Sequence, residues 1–271
     1  MPVLKKNTRV KAGVVGLPTG IKDITRSDFR NEKWIQAIEG KGYRLAWSRT
    51  CQCPCVSLND QTDQNDPNCS LCEGLGWIFF KPEAAVANPK IIGPLDEIQT
   101  KFVGDHAAII HGIMTGISAK QNALDQMGPW MEGMSQLTVR AENKLGYYDR
   151  ITALDSQIVY SQIIKRKEGT LLKTKYPVVQ TNIVRDITKV YTEGSDFDVV
   201  VGDIIWKANK GPALETPVVV HYLTHPTFRV IEHPHAVRTT LTKFKIKQPL
   251  TPQGDPVDLP VQAVIRYEFL I

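Results

Sequence analysis

All five cysteines of the chain lie within 22 consecutive positions, and this cluster constrains the fold more than any other sequence feature. The arrangement is Cys51-Gln-Cys53-Pro-Cys55, thirteen intervening residues, and then Cys69-Ser-Leu-Cys72. The intervening segment is rich in Asn, Asp, Gln and Pro, so it can bury little apolar surface by itself. Its two ends therefore need a cross-link or a shared ligand to hold them together.

Cysteines at this spacing predict a structural zinc site. Zinc prefers four tetrahedral ligands, and its bonds to sulfur are about 2.3 Å long. Two glycines follow the second pair of cysteines and give the pattern Cys-x-x-Cys-x-Gly-x-Gly. The spacing leaves open a set that uses Cys51 with Cys55, but we favour a ligand set in which Cys51 is spare. That set is Cys53, Cys55, Cys69 and Cys72.

Three other readings of the cysteines are less consistent with the sequence. An odd number of cysteines without a secretion signal argues against disulfides. A redox Cys-x-x-Cys would open a helix after a strand, and Glu73 to Phe79 does not have a helical pattern. A catalytic zinc needs an open coordination position, whereas four thiolates make a closed site.

The composition is that of an ordinary globular protein with a mildly basic charge. Among 271 residues there are 33 Lys and Arg against 28 Asp and Glu, which gives a net charge of +5. The basic groups, of which Lys165-Arg166-Lys167 is one, are interpreted as solvated faces. No apolar run reaches the roughly 18–20 residues of a membrane span, so we expect no membrane association. We also expect that the protein is made in a reducing cytoplasm.

The pattern beyond residue 83 predicts a mainly β protein, with β-sandwich or barrel-like domains. Many short β-prone segments alternate with Gly, Pro, Asn and Asp, which is typical of antiparallel folds. A small N-terminal helix is predicted before Gly40. We predict an extended arm over 1–26, a helix plus zinc-knuckle module over 27–82, and a β-rich domain over 83–271. A break near 150–175 would divide the last of these into two subdomains.

No catalytic constellation is recognisable, and we predict that the chain is not an enzyme. Nucleophile-elbow, Walker and dinucleotide-binding motifs are absent from the sequence. The pair His233 and His235 lacks the helical spacing of a metal motif. Six aspartates border predicted turns, where acidic residues are common; they are Asp149, Asp155, Asp186, Asp196, Asp198 and Asp203.

Several short motifs occur in a fixed order over residues 45–271. They are Trp47 with Cys53-Pro-Cys55; Asp66-Pro-Asn-Cys69-Ser-Leu-Cys72-Glu-Gly74-Leu-Gly76-Trp-Ile-Phe; Tyr148-Asp-Arg-Ile151 with Asp155-Ser156; Trp206; Val218-Val-Val-His-Tyr222 with His225-Pro226; Val230, His233-Pro-His235 and Arg238; and Leu259-Pro-Val-Gln-Ala263. This order resembles the neck proteins of tailed bacteriophages, the head–tail connector, completion or collar proteins. The cysteine motif alone also resembles the zinc repeat of DnaJ-type chaperones, but those carry several repeats and this chain has one.

The resemblance implies a non-enzymatic structural virion protein in the neck of the particle. Copies would form a homo-oligomeric ring in contact with portal or adaptor proteins on one side and tail proteins on the other. DNA would pass through the lumen without sequence recognition. The alternatives are a zinc-ribbon nucleic-acid-binding protein and a hydrolase acting on a polymer, which would need a set of catalytic groups that meet in space.

Overall fold

The computed structural model describes residues 31–56, 66, 69–72, 74–83, 94–116, 133–235, 239–241, 256–258 and 260–271. The arm predicted over 1–26 lies outside these ranges. Within them the chain is mainly β, as the strand pattern predicts, with a small N-terminal helix and a cysteine cluster. The open choice between sandwich and barrel is resolved for the first β unit, which is a closed barrel.

Two α-helices and sixteen strands make up the described secondary structure. The helices are α1 (Asn31–Lys41) and α2 (Glu97–Val103), and a 3-10 helix covers Glu268–Leu270. The first eight strands are β1 (Tyr43–Gln52), β2 (Trp77–Phe80), β3 (Ala108–Gly116), β4 (Met134–Val139), β5 (Arg150–Ala153), β6 (Ile158–Lys165), β7 (Leu171–Leu172) and β8 (Gln180–Arg185). The others are β9 (Val190–Tyr191), β10 (Phe197–Val200), β11 (Asp203–Trp206), β12 (Pro217–Thr224), β13 (Thr227–His235), β14 (Thr239–Leu241), β15 (Pro256–Asp258) and β16 (Val261–Tyr267).

Six antiparallel strands close into the barrel in the order β1-β3-β4-β16-β13-β5, and β5 pairs back onto β1. Trp47 lies at the closure, opposite Ala108 of β3 on one side and Ile151 of β5 on the other. Side chains that point inward fill the interior, because every second residue of a barrel strand faces the axis. The inner set is apolar and fully buried, and includes Leu45, Trp47, Ile110, Leu137, Val139, Ile151, Val230 and Ile265.

A second β unit is inserted between the barrel strands β5 and β13. A four-stranded sheet (β6-β12-β8-β9) and a three-stranded sheet (β10-β11-β7) surround a core that contains Phe197, Trp206 and Tyr222. Strand β12 alternates strictly, with Val218, Val220 and Tyr222 buried, as the sequence pattern predicts for a strand with one core face. We refer to residues 158–224 as the insert.

The cysteine cluster forms the loop of the hairpin between β1 and β2. The first half of β1 pairs with β3 and β5 in the barrel, and its second half, Arg49 to Gln52, pairs with β2. One continuous strand therefore belongs to both the barrel and the hairpin. The module predicted over 27–82 shares its sheet with the β-rich region predicted to begin at 83. We refer to residues 53–76 as the knuckle.

Candidate metal centre

Four cysteine sulfurs of the knuckle converge on one point. They are those of Cys53, Cys55, Cys69 and Cys72, and all four lie within 4.8 Å of one another. The Sγ atoms of Cys53 and Cys69 are 3.7 Å apart, and those of Cys55 and Cys72 are 3.5 Å apart. The structure thus brings together the four cysteines favoured from the sequence, at distances that allow them to bind one metal ion.

The backbone around the sulfurs is folded back by tight turns. The carbonyl of Gly76 accepts from the amide of Cys53 at 2.8 Å, which joins the two ends of the knuckle directly after the β1–β2 ladder. Gly74 and Gly76 have φ values of 79° and 74°, in the left-handed region that favours glycine. The two glycines of the Cys-x-x-Cys-x-Gly-x-Gly pattern therefore let the chain turn around the second pair of sulfurs.

Backbone amides also form hydrogen bonds to two of the sulfurs. The amide of Gly76 donates to Sγ of Cys72 at 3.2 Å. The amides of Cys72 and Leu71 lower the pKa of Cys69 to about 7, since hydrogen bonds to the charged form favour it. Because a thiolate, and not a thiol, is the form that binds metal, the amides favour the metal-binding form of Cys69. At Cys55, a backbone hydrogen bond at Asp66 lowers the pKa, but burial and the neighbouring thiols outweigh it and raise the pKa to about 12.

Cys51 lies outside the sulfur cluster. It is a residue of β1, paired with Ile78 of β2, and its side chain is exposed. Its place in the hairpin ladder explains why it is not among the four converging cysteines.

A buried charge cluster holds the hairpin against the barrel, and sequence reasoning did not identify it. Arg229 of β13 donates from Nε to Oε1 of Glu268 at 2.8 Å, and Arg150 of β5 pairs with the other carboxylate oxygen at 3.1 Å. Both guanidinium groups lie over the ring of Phe79 in β2, at 4.6 and 4.7 Å. Burial raises the pKa of Glu268, but Arg150 and Arg229 outweigh it and hold that pKa below its ordinary value.

The other candidate residues serve the fold. Asp149 is buried and accepts from Nε1 of Trp47 at 2.8 Å, and Asp186 accepts from the hydroxyl of Tyr191 at 2.5 Å. His225 shares a hydrogen bond with the carbonyl of Ser156 at 2.7 Å. The remaining aspartates of the set form ion pairs: Asp155 with Arg44, Asp196 with Lys189, Asp198 with Lys207 and Asp203 with Lys101.

Of the histidine pair His233 and His235, the first belongs to no second metal cluster among the described residues, and the side chain of the second lies outside them. The ring of His233 packs edge-on against Tyr147 at 4.8 Å. Trp206 and Tyr222 lie in the core of the insert. These observations leave the sulfur cluster as the one group of possible metal ligands among the described residues.

Comparisons with known proteins assign no family to the chain. A scan against protein-family models found no match, and a search of curated proteins found no significantly similar sequence. As for membranes, neither described helix combines the length and the apolarity of a bilayer span.

Proposed function

We propose that the chain is a structural virion protein of a tailed phage, forming part of the ring-shaped neck that joins the portal and head to the tail. In this proposal it has no catalytic role, it acts in the assembled virion, and its knuckle carries a structural zinc ion. The order of motifs along 45–271 suggests the family. The structural observation that supports self-assembly is an exposed apolar face on the insert.

The apolar face is the outer surface of the sheet β6-β12-β8-β9. Directly opposite residues of an antiparallel pair share one face, and Ile163 of β6 lies opposite Val219 of β12, which lies opposite Arg185 of β8. Ile163 is 72% exposed, and Val159, Ile183 and Val190 are each about half exposed or more. These aliphatic side chains are interspersed with polar ones such as Ser161 and His221, and several exposed aliphatic side chains on one face are typical of a contact between proteins.

The size of the face fits one part of a subunit contact. Three strands at about 4.8 Å spacing and eight residues at about 3.3 Å make a face of roughly 380 Å². A standard interface covers about 800 Å² on each partner, so this face would contribute about half of one side. The rest would come from neighbouring surfaces, as in a ring where each copy contacts two others through different patches.

Zinc is the ion that best fits the sulfur cluster. Four sulfurs at about 2.3 Å from a tetrahedral centre lie roughly 3.8 Å apart, and the observed 3.7 and 3.5 Å separations approach that value. A site with four cysteine ligands has no open position, which supports a structural role. The knuckle between residues 53 and 76 contains no Lys or Arg, and this argues against the alternative of a zinc ribbon that binds nucleic acid.

Native mass spectrometry of the purified protein, with and without a strong chelator, tests this proposal. We expect one zinc per chain, and ring-sized assemblies alone or with portal and tail proteins. Ile163→Asp should shift the assemblies toward monomers, whereas Val200→Asp, an exposed position on the other sheet of the insert, should not. A metal-free monomer with all five thiols titratable, and no assembly with neck proteins, would refute the proposal.

A second pair of variants tests the ligand set. Cys72→Ser should abolish zinc binding because it removes a buried ligand of the cluster. Cys51→Ser should retain one zinc per chain, since Cys51 lies in the β1–β2 ladder and outside the cluster. Equal metal content in the two variants would show that the ligand set is wrong.

A further inference from the structure

A basic groove runs along residues 171–175 of the insert. It consists of two adjoining clefts of about 400 and 370 Å³, which share Leu171, Lys173, Thr174 and Lys175 as lining residues. The first cleft reaches Leu75 of the knuckle, and the second reaches α2 and β5 of the barrel. The groove therefore lies where the insert, the knuckle and the barrel meet.

The charge of the groove is strongly positive. Lys165, Lys167, Lys173 and Lys175 line the first cleft, and none of its lining residues in the described part of the chain is acidic. The one carboxylate of the second cleft, Asp203, forms an ion pair with Lys101. Closely spaced like charges beside a low-dielectric wall concentrate the field and attract an anionic partner. The groove thus favours a ligand that carries several negative charges.

The floor of the groove is aliphatic, which favours a peptide over a nucleic acid. Four apolar side chains line the first cleft, and two of them, Leu75 and Leu171, are 46% and 49% exposed. Single-stranded nucleic acid binds where bases can stack on exposed aromatic rings. Among the described lining residues the one aromatic is Phe102, which lines the second cleft and is a buried member of another core cluster. The other two apolar residues of the first cleft are Ile164 and Leu172.

Two edge strands border the groove. Within the described sheets, β6 pairs only with β12 and β7 pairs only with β11, so each has one side without a strand neighbour. An extended peptide can add to such an edge through its backbone, while alternate side chains enter neighbouring pockets. The alternation of a strand would place acidic side chains toward the lysines and aliphatic ones toward the floor.

We propose that this groove binds an extended acidic segment of a different protein, in which carboxylate and aliphatic residues alternate. The N-terminal residues 1–30 of the chain contain seven Lys and Arg against two Asp, so their charge does not match the groove. The proposal extends the proposed function by naming the chemistry of a partner. It does not require that the chain form a ring.

Fluorescence anisotropy with the full zinc-loaded chain tests the groove. The probe is a labelled peptide of four Glu-Val repeats, compared with four Lys-Val repeats and with an oligothymidylate of similar charge. We expect saturable binding of the acidic peptide that weakens at high salt. Lys173→Gln with Lys175→Gln should weaken it about tenfold, the effect of two partly exposed charge pairs.

The matched control is Lys207→Gln with Lys210→Gln, which removes the same charge from another part of the insert and should leave binding unchanged. Leu171→Asp should weaken binding further, because it places a carboxylate on the apolar floor. No saturable binding at about 1 mM peptide, an equal effect of the two double variants, or tighter binding of the oligothymidylate would each overturn the proposal. So would loss of self-association in Lys173→Gln with Lys175→Gln, which would assign the groove to a second copy. Failure to form rings with intact peptide binding would contradict only the proposed function.

Discussion

Glu268 joins three parts of the chain that are far apart in sequence. Its carboxylate is nine-tenths buried and pairs with Arg229 and Arg150, which come from adjacent barrel strands. The Arg229 guanidinium also reaches Oγ1 of Thr50 at 3.3 Å, in the half of β1 that leaves the barrel. A buried cluster of this kind stabilises the fold only while its charges balance.

We expect Glu268→Gln to lower the free energy of unfolding by about 3 kcal/mol, because it leaves two arginines without a compensating charge. Urea unfolding monitored by circular dichroism measures the change. Glu232→Gln is the control, since Glu232 lies on β13 with an exposed side chain. Equal stabilities of the two variants would mean that solvation of the two arginines replaces the charge of the Glu268 carboxylate.

Asp186 makes the stability of the insert depend on pH. Hydrogen bonds from Tyr191 and Thr188 lower its pKa below the ordinary value of 3.8. A carboxylate with a lowered pKa stabilises the fold above its unfolded value, and this contribution is lost as the pH falls through the folded value. The loss should therefore occur below about pH 4.

Asp186→Asn tests this dependence. Wild type should be more stable than the variant at pH 7, and the difference should shrink as the pH falls below about 4. Urea midpoints measured at pH 7 and below about pH 4 report this difference in stability. The control is Asp198→Asn, at a half-exposed position. A difference that is constant with pH would contradict the role of the Asp186 carboxylate.

At the level of elements, β3 is packed tightly at one position and openly at another. A Cβ added at Gly112 would come within 2.8 Å of Leu137 Cδ1 and 2.9 Å of Leu45 Cδ1. A Cβ added at Gly116 would meet no atom of the described residues within 4 Å. Both glycines belong to the same strand. The barrel interior at Gly112 is therefore filled by its neighbours.

Gly112→Ala should destabilise the protein by about 1–3 kcal/mol, the range for overpacking a core. Gly116→Ala should be neutral or slightly stabilising, because alanine reduces the entropy of the unfolded chain without a clash. Thermal unfolding of the two variants gives the comparison. If the leucine side chains rotate away at no cost, the variants will have the same melting temperature.

Local patterns predicted some elements and missed others. The alternation of β12 and the turn residues around it indicated a strand. The sequence Tyr176-Pro-Val-Val179 is β-prone and predicts a strand, but the structure has none there and β8 begins at Gln180. Helix α2 was missed, although Asp96 and Gln99 form a capping box at its start. Seven residues are too few for helical periodicity to be recognised.

For the whole molecule, the features that could not be predicted from the sequence depend on contacts between residues far apart in the chain. The cysteine spacing pointed to one compact site because its ligands lie within a short segment. The closure of the barrel joins Leu45 to Ala153, and the charge cluster joins Arg150 to Glu268. Neither pairing leaves a local pattern, since each depends on how strands are ordered in the sheet. The insert between β5 and β13 was hidden for the same reason, although a break near 150–175 was expected.

Because the knuckle is the loop of one hairpin, removal of the zinc ion proposed to bind there should have a local effect. Chelation should speed amide hydrogen exchange at Cys53, Leu75 and β2, whose backbone bonds close the knuckle, by about tenfold or more. Amides of Val178 and Val220 in the insert, which has its own core, should keep their protection. Hydrogen exchange with mass spectrometry, before and after chelation, measures both. Equal acceleration in the insert would mean that the metal stabilises the whole chain as one cooperative unit, and that the barrel and the insert are not independent of the knuckle.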